Sequence, residues 1–123
     1  MTSDFAPHVL VTGAASGIGR EIAHQYADRG SQLTIVDFYA KALSALTDDL
    51  CRSASVVNPI TCDLRDPEAP ASVIESAFSH GDVHVLVNSA GVYPAVPLLD
   101  ITAEIWDAVQ TINVRAPQLL TVE

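Results

Sequence analysis

The sequence has a single lysine, Lys41, and only five arginines: Arg20, Arg29, Arg52, Arg65 and Arg115. Against 15 acidic residues these leave a formal net charge of −9. A chain so short of positive charge, with its cations scattered, is excluded as a binder of nucleic acid or of an anionic membrane. Any phosphate it holds must be held by local N–H groups. Cysteine is scarce too. Cys51 and Cys62 stand in no C-x-x-C spacing and read as reduced thiols in or near the core. Four histidines show neither H-x-x-x-H nor H-E-x-x-H, so no metal site is expected. No apolar run approaches the roughly 20 residues of a membrane span. The first residues carry no basic leader and Gly13 interrupts the first apolar run, which excludes a signal peptide and makes the cytoplasm the expected location.

The residues that are present are those of a globular chain: 49% are hydrophobic and 17% charged. One domain over 1–123 is expected, large enough to bury a core. Its organising stretch is Val9-Leu10-Val11-Thr12-Gly13-Ala14-Ala15-Ser16-Gly17-Ile18-Gly19. An apolar run ends in a turn with three glycines, and a helical pattern starts at once. Glycines permit unusual dihedrals and close backbone approach to a ligand. The free N–H groups and positive dipole end of the helix then favour an anion.

After a loose lead over 1–7, the patterns alternate. Strands are predicted over 8–12, 32–37, 56–62 and 83–88, the third shortened by Asn58-Pro59. Helices are predicted over 17–29, 40–52 and 67–79, with a last one beginning after the cap Thr102. Ile18, Ile22, Ala23 and Tyr26 form the inner face of the first helix, and Gly30 stops it. Leu43, Leu46 and Leu50 face inward from the second. Asp66 is placed as N-cap of the third, with Pro67 at its first position and Val73, Ile74, Ala77 and Phe78 on its apolar side. The fourth strand, Val-His-Val-Leu-Val-Asn, is so continuously apolar that coverage on both faces is expected. The last helix carries Ile105, Trp106, Val109, Ile112, Ala116, Leu119 and Leu120, with Trp106 read as core. Pro117 should kink it or disturb its ladder. The β-α-β-α-β-α-β-α order predicts an α/β fold: a doubly wound parallel sheet with helices on both faces.

In such a sheet the ligand crevice lies beyond the carboxyl ends of the strands. The small and polar residues gather there: Gly13 to Gly19, Asp37, Asp63, and Asn88 to Gly91. Four strand ends aimed at one crevice point to a dinucleotide.

Thr12-Gly13-Ala14-Ala15-Ser16-Gly17-Ile18-Gly19 resembles the T-G-x-x-x-G-x-G fingerprint of the short-chain dehydrogenases/reductases. Cys62-Asp63-Leu64 is similar to that family's adenine-contacting pair. Asn88-Ser89-Ala90-Gly91 resembles its N-N-A-G motif, with Ser89 replacing the second Asn. Thr111-Ile112-Asn113-Val114 resembles the segment carrying its active-site Asn. The resemblance implies a Rossmann-like, three-layer sheet with strand order 3-2-1-4. It also implies a dinucleotide held by Gly13, Ser16, Gly17, Ile18, Gly19, Asp37, Phe38, Cys62, Asp63, Leu64, Asn88, Ala90 and Gly91. Asp37, 18 residues past Gly19, suits a carboxylate on both hydroxyls of the adenosine ribose and would repel a 2′-phosphate. Phe38 and Tyr39 offer no cation, so NAD is expected over NADP. The simpler alternative is that Asp37 caps the next helix. Asn113 carries over as the family's catalytic Asn, which helps position a water in the proton relay and locally disturbs its helix. Its simpler alternative is a helix Asn bonded to nearby backbone. Tyr93, in the Pro-containing loop over 92–100, is a minor candidate for substrate contact.

The family's Ser, and its Tyr and Lys in Y-x-x-x-K, lie downstream of its Asn, and Y-x-x-x-K cannot form here, because the only lysine is Lys41 and Asp37 stands four positions before it. The implied function is an NAD-dependent oxidoreductase moving a hydride to or from a carbonyl or secondary alcohol. The chain represents its cofactor-binding half and is expected to be inactive alone. The fourth strand then leaves an unpaired apolar edge, from which a homo-oligomer or association with the missing half is expected. The rival reading is a non-catalytic nucleotide-binding or interaction module on the same half-fold.

Overall fold

The computed structural model describes residues 5–123. The expected loose lead falls, at 1–4, outside the described residues. Four parallel strands form one sheet in the order β3-β2-β1-β4. They are β1 (His8–Thr12), β2 (Gln32–Asp37), β3 (Val56–Thr61) and β4 (Val85–Asn88). Five α-helices join or follow them: α1 (Gly17–Asp28), α2 (Ala40–Leu50), α3 (Ala69–Phe78), α4 (Ala103–Gln110) and α5 (Ala116–Val122). The register aligns Thr12 with Val36 on one side and with Asn88 on the other, so three carboxyl ends finish level.

Side-chain alternation along the central strands divides the core. Val9, Val11, Leu33 and Ile35 pack with Ala23 and Ala27 of α1 and with Leu43, Leu46 and Leu50 of α2. Leu10 and Val36 point the other way, onto Val73 and Ala77 of α3 and Leu120 of α5. Both faces of β1 are covered, which is why its five residues are all buried.

Several sequence expectations are corrected. Ile18 is 76% exposed. Ala23 and Tyr26 of the predicted face do pack on the core, but the buried stripe of α1 is Gly19, Ala23 and Ala27, spaced four apart, whose small side chains let the helix lie close to the sheet. β3 is not shortened at Pro59, which pairs in register with Ile35. An edge strand bonds on one side only, so a missing donor there can be tolerated. α3 begins two residues later than its predicted first position, Pro67, with Glu68 at the N-cap. Asp66 builds the turn ahead of it, accepting from the Glu68 N–H at 2.9 Å. Phe78 is half exposed. β4 starts at Val85 and is only partly buried, because β1 is its sole partner among the described residues. Trp106 is 59% exposed and α4 has no buried residue, since among the described residues nothing covers its apolar side. The last helix is interrupted by a π-helical turn, Thr111–Arg115. Pro117 follows it and has no N–H to offer the Asn113 carbonyl four residues back. Among the described residues, no helix is long and apolar enough to cross a membrane.

At the amino end of the sheet, His8 is buried. Its Nδ1 lies 3.2 Å from the Asp82 carbonyl, which can only accept, so this nitrogen carries the proton. Nε2 is then the acceptor for the Thr34 hydroxyl at 2.8 Å. Burial pushes the imidazole below its ordinary value of 6.5, more strongly than the Gly81 and Asp82 carbonyls raise it; His84 and His80 add a smaller downward push. The unfolded chain therefore takes up this proton first as pH falls, so stability declines below about pH 6.5. Denaturant unfolding at pH 7.5 and 5.5 checks this. The wild type should lose stability at the lower pH, and His8→Leu should show a smaller loss. Equal losses in both proteins would remove His8 as the cause.

Candidate active site: a cleft at the strand ends

The glycine-rich turn leaves β1 through Gly13, at φ 63°, and enters α1 through Gly17, at φ 55°. Both dihedrals lie in the left-handed region that side chains disfavour. Gly13 and Gly19 serve packing. A Cβ on Gly13 would lie 2.7 Å from the Ala90 backbone, and one on Gly19 would overlap the Gly13 carbonyl. Gly17 differs: no atom lies within 4 Å of the place its Cβ would occupy, so the turn is open there. Ser16, the N-cap, makes no side-chain cap bond, and the first helical turn holds no acidic residue. The Arg20 N–H makes its bond to the Ser16 carbonyl, so the amides of Gly17, Ile18 and Gly19 precede the helical ladder.

Asp37 ends β2 facing this turn. One carboxylate oxygen accepts from the Ala15 N–H and the other from the Tyr39 N–H, each at 3.0 Å. Tyr39 is itself the N-cap residue of α2, so Asp37 ties a turn ahead of the helix instead of capping its first N–H groups. A carboxylate offers about four lone-pair sites, so two acceptor positions are left. Thr12 stitches the opposite side, its hydroxyl accepting from the Ala90 N–H at 3.1 Å.

After β3, Asp63 accepts from the Arg65 backbone N–H at 2.9 Å and holds the Arg65 guanidinium through a 2.8 Å ion pair. That arginine keeps the Asp63 carboxyl below the usual carboxylate range. The Arg65 guanidinium lies 6.0 Å from the centre of the Phe38 ring. Burial pushes the Cys62 thiol up, and Asp63, Asp66 and Asp37 add to it, so Cys62 is a neutral wall and not a thiolate.

These groups line one cleft of about 490 Å³. Of the residues singled out from the sequence, it brings together Gly13, Ser16, Gly17, Ile18, Asp37, Phe38, Cys62, Asp63, Leu64, Ala90 and Gly91. Gly19 is buried behind the turn, and Asn88 stays on β4 opposite Thr12. Tyr93 is 95% exposed and does not line the cleft. Sequence reasoning did not assign Val36, Tyr39, Arg65, Val92 and Ile112 as lining residues, while Ser89 lies within the Asn88 to Gly91 turn it placed at the crevice. Tyr39 and Arg65 adjoin motif residues and could have been found by extending the motifs. Ile112 arrives from the distant π-helical turn, where it stands beside Asn113 within the Thr111 to Val114 segment.

Asn113 borders a second, open groove of about 850 Å³ along the last helices. Its amide is committed to one residue. Oδ1 accepts from the Val92 N–H at 2.8 Å, and Nδ2 donates to the Val92 carbonyl at 2.9 Å. The side chain thus clips the loop after β4 to the π-helical turn.

The cleft fits a dinucleotide on its own terms. It offers an open glycine cradle, unladdered amides at a helix start, and a carboxylate with acceptor capacity on the facing strand. Fold and cleft together define a dinucleotide-binding α/β protein. The family model for short chain dehydrogenase matches residues 7–123, and the chain belongs to that family. It is 36% identical over 114 residues to D-threitol dehydrogenase of Mycolicibacterium smegmatis, spanning 90% of this chain and 43% of that protein. A metagenomic short-chain oxidoreductase solved in complex with NADP superposes with a TM-score of 0.89 at 30% identity, covering 98% of this chain and 56% of the other. A short-chain dehydrogenase from Sphingobium yanoikuyae in complex with NADPH gives 0.86 at 32% identity, covering 94% and 46%. The chain therefore spans about half or less of the relatives it matches.

Proposed function

We propose that this chain is the cofactor-holding portion of an oxidoreductase that prefers NAD and interconverts a carbonyl and a secondary alcohol. When bound, the nicotinamide supplies or accepts the hydride. The amides of Gly17, Ile18 and Gly19 would receive the pyrophosphate. Asp37 would bond the adenosine ribose, and Asp63 with Leu64 would receive the adenine. The observation that carries the reading is Asp37, which lines the cleft while bound to the Ala15 N–H of the glycine turn. Phosphate site and ribose site are thereby joined in one hydrogen-bonded unit.

The preference for NAD rests on this chain's own charges, although the two solved relatives above carry NADP or NADPH. A 2′-phosphate would meet the Asp37 carboxylate. Arg65, the one cation lining the cleft among the described residues, is engaged by Asp63. Asn113 would steady the loop beside the nicotinamide end through Val92. With no Y-x-x-x-K in the sequence, the chain alone should bind cofactor without turning over substrate. The open edge of β4 would pair with the rest of the enzyme or with another copy. A purely non-catalytic module is not favoured, because the similarity runs to dehydrogenases along nearly the whole chain.

Fluorescence titration with NADH and NADPH tests the reading. NADH should bind at least about tenfold more tightly than NADPH, a difference of about 1.4 kcal/mol. No binding of either would overturn the site, and tighter NADPH would overturn the preference. Alcohol-dependent NAD reduction by the purified chain would refute its inactivity.

A further inference from the structure

The π-helical turn grips two loops of the cleft from one short segment. Asn113 holds Val92, in the loop after β4. Arg115 reaches the loop after β3, where its Nη2 donates to the Arg65 carbonyl at 2.6 Å across 50 residues of sequence. Residues two apart on a helix project from nearly opposite sides, which lets neighbouring positions serve separate loops.

Arg115 is partnered by backbone and not by a carboxylate. In a chain of net charge −9, the guanidinium donates to a neutral carbonyl. The only salt bridge among the described residues is Arg65 with Asp63. The loop that Arg115 holds is otherwise tied mostly to itself. Asp63 takes both the backbone N–H and the guanidinium of Arg65. The loop's other anchors to the body are the Cys62 N–H on the Asp37 carbonyl at 3.2 Å, the packing of Cys62 against the core around Val36 and Val73, and the packing of Leu64 with Ala69 and Ala116. Ala116 adjoins Arg115, so one element supplies both an apolar seat and a polar tether. Arg115 itself does not line the cleft.

We propose that Arg115 is a positioning residue for adenine recognition. By holding the Arg65 carbonyl it fixes the loop 62–65 in the form in which Asp63, Leu64 and the Arg65–Phe38 pair border the base. This rests on the dinucleotide reading above. It assigns adenine affinity to a side chain outside the cleft, on the same turn as Asn113.

The test compares AMP, which needs the base site, with inorganic pyrophosphate, which needs only the glycine turn. Both are titrated against the full 123-residue chain and its Arg115→Met and Arg115→Lys variants. Arg115→Met should weaken AMP about tenfold, as expected for losing a bond from a charged donor, and change pyrophosphate by less than about twofold. Arg115→Lys keeps a cationic donor and should recover much of the AMP affinity. Unchanged AMP binding in Arg115→Met overturns the proposal, and so does an equal loss of AMP and pyrophosphate, which would mark a general structural role. If Arg115→Met does not fold, Arg115→Lys decides: about a threefold loss confined to AMP supports the proposal, and wild-type AMP affinity or a loss shared with pyrophosphate overturns it. Failure of the wild type to bind NADH and AMP would instead bring down the dinucleotide reading itself.

Discussion

Asp37→Ala is expected to weaken NADH binding about twentyfold, equivalent to about 1.8 kcal/mol, and to erase the preference over NADPH. Two effects combine. The variant loses a charged acceptor for the ribose hydroxyls, and bonds to charged groups contribute more than neutral ones. It also strands the Ala15 N–H, because Asp37 is that amide's acceptor at 3.0 Å. The NADPH affinity should move the other way, since removing the carboxylate relieves its repulsion of a 2′-phosphate. Parallel titrations of wild type and variant read both changes. An unaltered NADH-to-NADPH ratio would leave Asp37 as a structural tie between turn and strand.

Gly13→Ala should cost about 3 kcal/mol of stability and abolish NADH binding. The left-handed dihedral contributes about 1 kcal/mol of that, and overlap with backbone the rest. The new Cβ would sit 2.7 Å from the Cα and N of Ala90 and 2.9 Å from the Ser89 carbonyl carbon. Ala90 has little room to yield, because its N–H is held by the Thr12 hydroxyl. A drop in Tm of roughly 10 °C is the corresponding thermal signature. Gly17→Ala provides the contrast. Its dihedral is equally left-handed, but its Cβ would enter open space, so it should cost only about 1 kcal/mol. That open space is where the phosphates are proposed to approach, so Gly17→Ala should still lose most NADH affinity. Melting curves and titrations on both variants separate the packing glycine from the binding glycine. Full NADH binding by Gly17→Ala would remove the cradle from the site.

The glycine motif reads as one unit in the sequence, yet its residues divide the work. Gly13 and Gly19 allow β1, α1 and the turn after β4 to meet, while Gly17 leaves room. The motif's spacing cannot separate these roles, because the crowding at Gly13 comes from atoms of 89–90, far along the chain. Ile18 teaches the same lesson. Helical periodicity places it beside Ile22, but the sheet accepts the small-residue stripe of Gly19, Ala23 and Ala27 instead. Close approach of α1 to the strands outweighs the larger apolar side chain.

The order of strands and helices, the parallel sheet, the inner face of α2 and the gathering of Asp37, Asp63 and the glycines at one crevice were all legible in the sequence. Period-2 and 3.6 patterns and turn residues encode them locally, and alternation of elements does the rest. Tertiary structure alone decided which distant groups meet. It committed the Asn113 amide to Val92, set Arg115 on the Arg65 carbonyl, buried His8 against Thr34, and left Trp106 outside the core. Each depends on where a loop or a neighbouring layer comes to rest. A hydrogen bond between residues 50 or 21 apart has no periodic trace in the chain, because its geometry exists only once the sheet has brought the two ends together.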